Sequence, residues 1–396
     1  MVHPADRLAF DRAMATQPVW NRFNTGKDAL GLAENVLLHA GPAFATPDLI
    51  TAPIFNSACV AAVFEGIARD FDQAGAMISR GEIILEPAQD HDVVVPLAAV
   101  VSASMPLHAV YDAWHGQHRV FTPINGGSRP SMRLGLRSEA VLEHVRWLNT
   151  RFLDVLEGGL AEGLALVPLA VAGLAGGDDC HGRTPVSTSA LVAELADRTE
   201  NGISDNDVLE FMASSSSLFL NLWMAATKIM MKLAEGIEGS SFVTAAGGNG
   251  REVGIQISGL SGQWFTTKAS PPIGKFDVDL PGDRALGAIG DSAVVEAFGL
   301  GAMAIALSPE QLKNLGPYLP DDALARSSSL SVGAHPNFRN LGVELGSTAR
   351  AVVAQKAGPV VGLGILDSQG KAGRLGGGVY NMPVAPFSAA LDALDP

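Results

Sequence analysis

The sequence is poor in cysteine, in basic residues and in aromatic residues. Cysteine occurs only at Cys59 and Cys180, which excludes a disulfide framework and a CxxC metal centre and favours a reducing cytoplasm. Lysine and arginine total 27 against 41 acidic residues, a formal net charge of −14. Nucleic acids and anionic membranes need clustered basic residues and are therefore not expected as partners. The 47% hydrophobic and 17% charged content excludes a disordered chain.

A membrane span and a secretory signal are also missing. The apolar stretch 164–177 is interrupted by Pro168 and ends at Asp178 and Asp179. A spanning helix needs about 20 residues, so we interpret this stretch as a buried core segment. The first 20 residues mix charged and apolar side chains and do not resemble a signal peptide.

The apolar pattern predicts an α/β protein of several domains. A chain of 396 residues exceeds the roughly 250–300 residues over which a single core grows. Strand-like and helical segments alternate in the first third, the middle third is helical, and the last third returns to strands and turns. We predict an N-terminal α/β domain, a central helical domain and a C-terminal α/β or α+β domain, covering residues 1–135, 136–238 and 239–396.

Several segments carry specific structural expectations. Apolar residues at helical spacing predict helices over 56–71, 72–79, 138–156, 218–233 and 292–306. Short apolar runs predict strands over 37–40, 93–95, 98–101 and 360–366. Asn249 and Gly250 stand between two apolar runs, which is typical of a hairpin. The three glycines at 376–378 predict a flexible corner.

The densest polar cluster of the chain lies at 178–183, directly after the apolar stretch. His181 can act as a general acid or base because its ordinary pKa lies near neutrality, and Arg183 can bind a carboxylate or phosphate. Cys180 is a second candidate, as a nucleophile. The alternative is a charged helix start, capped by aspartate, with solvated His181 and Arg183. A zinc site is not expected, because adjacent residues rarely chelate one ion.

Further candidate ligand-binding residues lie in other segments. Asn221 and Lys228 share one face of the 218–233 helix, where a polar pair must either find partners or line a cavity; a surface stripe is the alternative. The helix start at Asp291 and Ser292 offers N–H groups to an anion, with simple N-capping as the alternative. The remaining candidates follow apolar runs or lie in turns: His91, Ser102, Ser104 and Asn249.

No GxSxG, HExxH or P-loop motif is present, so the sequence does not favour a serine hydrolase, a zincin or a kinase. The glycine-rich loops at 247–250 and 376–378 match no nucleotide-binding pattern. Nucleotide or coenzyme A binding therefore has no local motif to support it.

Seven segments occur in the order typical of one bacterial family and cover nearly the whole chain. The most characteristic are VSASMP at 101–106, GDDCHGR at 177–183, FLNLWMAATK at 219–228 and GDSAVVEAFGLG at 290–301; the others lie at 37–42, 58–70 and 373–387. Together they resemble the YlbE/AllG-type family, which includes a subunit of oxamate carbamoyltransferase from anaerobic allantoin breakdown.

The resemblance implies an α/β protein with a helical middle domain that works in an oligomer beside companion subunits, one of them similar to succinyl-CoA synthetases. The implied reaction is carbamoyl transfer, the phosphorolysis of oxalurate to oxamate and carbamoyl phosphate. Phosphate and carbamoyl phosphate are then substrates, and neither a cofactor nor a metal is expected. The chain departs from the family pattern at 125–127, Asp179 and Asn381, which leaves a related ureido compound as an alternative substrate.

These observations combine into one hypothesis about the site. His181 is the general acid or base, and Asp178 or Asp179 orients its ring. Anion binding is assigned to Arg183 and Lys228, and Asn221 and the helix start at 290–292 supply neutral donors. Two alternatives stay open: a non-catalytic ligand-binding or scaffold subunit of a complex, and an amidohydrolase that acts on a related amide.

Overall fold

The computed structural model describes residues 2–394 except 115, 117, 128, 129, 158, 161 and 200–202. Its helices are α1 Pro4–Ala15, α2 Gly26–Leu30, α3 Ala52–Phe64, α4 Phe71–Ser79, α5 Glu139–Trp147, α6 Leu153–Glu157, α7 Leu166–Ala175, α8 Pro185–Arg198, α9 Asn206–Ser214, α10 Leu218–Leu233, α11 Ala293–Phe298, α12 Pro309–Leu315, α13 Ala323–Leu330, α14 Ala349–Gln355 and α15 Ala385–Leu394. A π-helical segment, Leu148–Phe152, joins α5 to α6.

The strands are β1 Pro18–Thr25, β2 Val36–His39, β3 Ile84–Pro87, β4 Val100–Val101, β5 Pro106–Asp112, β6 Arg119–Pro123, β7 Leu164–Ala165, β8 Val243–Asn249, β9 Glu252–Ile257, β10 Phe265–Lys268, β11 Ile273–Phe276, β12 Ile289–Gly290, β13 Ser331–Ala334, β14 Glu344–Ser347, β15 Val360–Leu366 and β16 Arg374–Asn381. Helices and strands thus mix along the whole described chain, and the predicted α/β class is confirmed.

The described strands form separate small sheets, ordered β6-β5-β1-β7, β10-β9-β8-β12, β11-β16-β15, β3-β2-β4 and β13-β14. Their pairing is mostly antiparallel. The parallel pair is β2 with β3, and α3 and α4 make the crossover that parallel neighbours need. The alternation predicted for the first third is therefore one βαβ unit flanked by antiparallel strands.

The helix α10 forms the centre of the largest apolar core. Its predicted bounds, 218–233, are those observed. Trp223 of α10 is fully buried, and the same core holds Phe10 near the N-terminus and Phe387 near the C-terminus. Residues from all three predicted domains therefore contribute to one core, while the boundaries at 135 and 238 stay predictions.

Two predicted helices end early because a glycine follows in a left-handed conformation. The helix predicted over 56–71 ends as α3 at Phe64, and Gly66 has φ +77°. The helix predicted over 292–306 is α11, which ends at Phe298 before Gly299 at φ +113°. Glycine adopts this conformation without steric cost and terminates helices for that reason.

The strand predicted over 93–95 is wrong, since only an isolated bridge from Val93 to Phe121 forms there. The flexible corner predicted at 376–378 is also wrong, since these glycines lie inside β16. A Cβ on Gly376 would stand 2.0 Å from the carbonyl oxygen of Lys275 on β11, so the bare backbone lets the two strands approach. The predicted hairpin is confirmed, with Gly250 at φ +85° between β8 and β9.

The stretch 164–177 folds as the two-residue strand β7 followed by α7, a helix of 10 residues. Within the residues that the structure describes, no helix has both the length and the apolar character required to cross a bilayer.

Candidate functional site

A cleft of about 350 Å³ lies where the 178–183 loop, the start of α10 and the strands β15 and β16 meet. Its polar lining consists of Asn125, Arg133, His181, Ser216, Ser217, Asn221, Ser292, Gln311 and Arg374. Among the described residues that line it there is no aspartate and no glutamate. A cleft of this size suits a small molecule, and its lining favours an anionic one.

One wall of the cleft is formed by His181 with two carboxylates behind it, and we call His181, Glu296 and Asp179 the histidine wall. Nδ1 of His181 lies 2.5 Å from Oε1 of Glu296. Glu296 is fully buried on α11, and the same oxygen accepts N–H groups of Ala302 and Gly362 at 3.1 Å. Because Nδ1 is engaged by this carboxylate, Nε2 is the ring nitrogen left to face a ligand.

The loop that carries His181 is fixed by hydrogen bonds to the side chains of Asp178 and Asp179. Oδ1 of Asp179 accepts the backbone N–H groups of His181 at 2.8 Å and Arg183 at 2.9 Å. Asp178 accepts the N–H and the hydroxyl of Ser187 and so caps α8. Between them, Cys180 adopts φ +65°, a conformation that costs energy for a side chain with a Cβ and that recurs at functional sites.

Burial and charge set the protonation of the histidine wall. Burial by itself lowers the pKa of His181, but the charge and hydrogen bond of Glu296, with the charge of Asp179, outweigh it and raise the pKa above its ordinary value. Burial raises the pKa of Asp179 to about 6, against the effect of the two N–H groups that it accepts. Both His181 and Asp179 therefore keep a proton to higher pH than they would in water.

A second part of the cleft lining is cationic, and we call Arg133, Arg374 and Asn125 the arginine wall. Nη1 of Arg133 donates to Oδ1 of Asn125 at 2.9 Å, to the hydroxyl of Ser131 and to the carbonyl of Gly126, and Nη2 donates to the carbonyl of Gly127. All these acceptors are neutral. Burial, together with the nearby charge of Arg374, lowers the pKa of Arg133 to about 10, so it stays cationic at neutral pH.

Three of the predicted site residues line the cleft: His181, Asn221 and Ser292. Nδ2 of Asn221 donates to the backbone carbonyl of Asn125 at 2.6 Å. Asn221 thus ties α10 to the loop that also holds Arg133. The predicted grouping of His181 with Asn221 agrees with this arrangement.

The carboxylate that holds the imidazole is Glu296, whereas the sequence pointed to Asp178 or Asp179. Those two aspartates accept backbone N–H groups of the loop and of α8 instead. Asp178 is thus the helix cap that was considered as the alternative, while Asp179 lies directly behind His181.

The predicted anion-binding residues Arg183, Lys228 and Asp291 do not line the cleft. Arg183 pairs with Glu310 at 2.6 Å. Lys228 is buried, and its Nζ donates to the carbonyl of Thr244 at 2.8 Å. Its charge is therefore used in a contact within the core. Neither cation faces the cleft.

Asp291 is fully buried and caps no helix. It accepts N–H groups of Gly41 and Val95 and the side-chain amide of Gln89. Burial raises its pKa to about 7, although these donors work in the opposite direction. The Asp291 carboxylate is therefore engaged within the chain, whereas Ser292, the other residue of the predicted helix start, lines the cleft.

The other four candidates also lie outside the cleft lining and have local surroundings of their own. Ser102 is buried, and Ser104 donates to Glu65 at 2.9 Å. Nε2 of His91 lies 2.7 Å from Glu86. Asn249 accepts two N–H groups of its hairpin turn and donates to the carbonyl of Pro42.

Sequence reasoning missed Glu296, Arg133 and Arg374 as site residues. Glu296 has a usable signal, because it is a lone carboxylate in the apolar helix AVVEAF, where a buried charge requires a partner. Arg133 lies in a segment without a motif, and Arg374 lies at the start of the segment 373–387, where no pattern indicates an anion-binding arginine. Only the fold brings them together.

The chain is similar to proteins that are already described. Residues 83–292 match the family model described as oxamate carbamoyltransferase subunit AllG. The chain is 31% identical to the oxamate carbamoyltransferase subunit AllG of Escherichia coli (strain K12), over 90% of this chain and 88% of that protein. It is 30% identical to the uncharacterized protein YahG of the same strain, over 98% of this chain and 84% of that protein.

A crystal structure of a conserved protein of unknown function from Enterococcus faecalis V583 has the same fold. It aligns with a TM-score of 0.91 and 27% identity, over 98% of this chain and 96% of that chain. The alignment covers the elements that build both walls of the cleft.

Proposed function

The chain belongs to the family of the oxamate carbamoyltransferase subunit AllG, and from that membership we propose that it transfers a carbamoyl group between phosphate and an amide nitrogen in the cleft lined by His181. The proposed substrate is oxalurate or a related ureido anion. A phosphate oxygen attacks the carbamoyl carbon, the bond from that carbon to the amide nitrogen breaks, and carbamoyl phosphate and oxamate leave.

This reaction requires one proton to move and no net proton release. Hydrogenphosphate loses its proton as its oxygen attacks, and the departing amide nitrogen gains one. We assign this transfer to Nε2 of His181, which accepts the proton and returns it. Glu296 at 2.5 Å stabilises the imidazolium between the two events, as a buried carboxylate does for a catalytic histidine.

The observation that carries the proposal is the pairing of His181 with a buried carboxylate inside a cleft whose described lining holds no acidic residue. In a chain of net charge −14, such a lining gives an anionic substrate a local environment that does not repel it. The position of His181 within the family-typical segment 177–183 supports the same assignment.

We further propose that activity requires companion subunits, because the relative in Escherichia coli is described as a subunit. The family resemblance suggests that one of them is similar to succinyl-CoA synthetases. The assay therefore uses the chain both alone and together with the proteins encoded beside it.

The test measures carbamoyl phosphate and oxamate formed from oxalurate, with and without phosphate. We expect turnover only with phosphate, and His181→Ala to lower it by ~10²–10⁴-fold, the usual contribution of a general acid or base. His3→Ala is the matched control, since His3 is an exposed residue at the start of α1. Turnover without phosphate would indicate an amidohydrolase, and unchanged turnover in His181→Ala would indicate a scaffold subunit.

A further inference from the structure

The arginine wall carries two positive charges, of which one has no carboxylate partner in the described chain and the other only a half-exposed one, Asp277. No carboxylate pairs with Arg133 among the described residues, and its partners are amide, hydroxyl and carbonyl oxygens. Arg374 lies close enough to Arg133 to act on its charge, and both line the same cleft. Two like charges that repel each other at one wall are stabilised when an anion binds between them.

Arg374 is held loosely. Its Nη1 lies 3.4 Å from Asp277, and both side chains are about half exposed, which makes the pair worth little. A Cβ on Gly377 would stand 3.1 Å from Nη2 of Arg374, and one on Gly364 would stand 3.8 Å from Nε. The guanidinium therefore lies on the bare glycine backbone of β15 and β16, where it can turn from Asp277 toward a ligand.

Arg133, in contrast, is fixed. Its Nη1 and Nη2 hold the 125–127 loop and Ser131, while its Nε–H makes no hydrogen bond within the described chain. A fixed guanidinium with a free N–H and a second, more mobile guanidinium in the same cleft lining are an arrangement that recognises the oxygens of a carboxylate or phosphate.

We propose that the arginine wall is the anion subsite of the cleft, in which Arg374 and Arg133 bind the phosphoryl or carboxylate oxygens of the ligand. The assignment of those oxygens to phosphate or to oxamate rests on the proposed function. The subsite itself rests on the two guanidiniums and the cleft.

Titration calorimetry of the full chain tests the subsite without turnover, with orthophosphate in one series and oxamate in the other. We expect Arg374→Gln to weaken binding by roughly 10–100-fold, the size of a lost charge-assisted hydrogen bond, and Arg374→Lys to restore part of it. Arg80→Gln is the matched control, because Arg80 forms an exposed pair with Glu82 far from the cleft lining.

A second variant changes affinity in the opposite direction. Asp277→Asn removes the carboxylate that competes for Arg374, and we expect it to tighten binding by about 2–5-fold. Glu82→Gln, which breaks the equivalent surface pair, is expected to change nothing. A structural role for Arg374 alone would not produce this gain.

The two series distinguish the source of the anion, because the ligand whose affinity Arg374→Gln lowers is the one that the subsite takes; if both weaken, the two ligands share it. Binding that is unaffected by Arg374→Gln, or no binding of either anion to the unaltered chain at millimolar concentration, overturns the inference. If the anion binds as expected but no carbamoyl transfer is found, the subsite stands and the proposed function fails.

Discussion

On the histidine wall, the imidazole of His181 lies 2.5 Å from a fully buried carboxylate, whereas on the arginine wall the guanidinium of Arg133 is held by neutral oxygens. The internal counter-charge of the first wall stabilises a proton on the ring. On the second wall Arg133 has no carboxylate partner among the described residues and the pair of Arg374 with Asp277 is half exposed, which leaves positive charge for a ligand. The cleft thus contains one group suited to proton transfer and other groups suited to anion binding. The two kinds of group differ in whether a buried carboxylate lies next to them.

The largest expected effect comes from removing that counter-charge. We expect Glu296→Gln to lower carbamoyl transfer by between about 10²- and 10⁴-fold and to move the pKa of His181 in the pH–rate profile downward, because Glu296 supplies the main upward effect on it. The affinity for the anion that the arginine wall binds, phosphate or oxamate, is expected to stay unchanged.

Glu194→Gln, in an exposed pair with Arg198, is the control for Glu296→Gln. An unchanged pH–rate profile in a folded Glu296→Gln protein would contradict the assignment of Glu296 to His181.

The next effect is on stability and concerns the protonation of Asp179 in the histidine wall. The pKa of Asp179 is about 6 in the folded chain, so between about pH 4 and 6 the native state retains a proton that the unfolded chain has released. The free energy of unfolding therefore falls as pH rises through this range, by at most about 1.4 kcal/mol per pH unit. Asp291, whose pKa is raised to about 7, adds to this fall in both proteins, so Asp179→Asn should show a smaller fall than the unaltered chain, as measured by urea unfolding at several pH values.

His181 gives a second decline in both proteins. Its pKa is raised in the folded chain, so its contribution is present below the ordinary value and is lost as pH rises through the raised one. Arg133, with a pKa of about 10, does not titrate in this range. Parallel curves for the unaltered chain and Asp179→Asn between pH 4 and 6 would show that Asp179 is not protonated there.

The smallest effect concerns Gly377, part of the glycine backbone on which the guanidinium of Arg374 lies. A methyl group at Gly377 would stand 3.1 Å from Nη2 of Arg374, a contact that displaces the guanidinium by a few tenths of an ångström. We expect Gly377→Ala to weaken phosphate or oxamate binding by about 2–3-fold, less than loss of the charge, with the pH–rate profile unaltered. Gly316→Ala, whose added Cβ meets its nearest atom at 3.9 Å, should have no effect on binding.

The sequence predicted what depends on neighbours along the chain. The periodicity of 218–233 yields α10 with its observed bounds, and the polar cluster after an apolar run identifies His181. It could not predict the partner of His181, because Glu296 lies 115 residues away and no local pattern states which buried charges meet. The arginine wall has the same origin in tertiary contact.

The errors have a physical cause as well. Asp291 precedes a helix, and its position therefore suggests an N-cap. In the fold its carboxylate instead accepts the N–H groups of Gly41 and Val95, so tertiary hydrogen bonds replace the local capping bond. The three glycines at 376–378 suggest flexibility, yet the close approach of β11 requires residues without side chains there. Glycine is typical both of flexible segments and of strands that approach each other closely, so its presence alone does not distinguish the two.

The carboxylate of Asp291 has a consequence for how the protein is made. Its donors at Gly41 and Val95 precede it by 250 and 196 residues, and Asp6 similarly accepts the N–H of Ser241, 235 residues further on. During translation, the early segments leave the ribosome long before the groups that complete their hydrogen bonds. Gly41 and Val95 therefore lack this hydrogen-bond partner until residue 291 has been synthesised, so these bonds form by long-range closure late in synthesis.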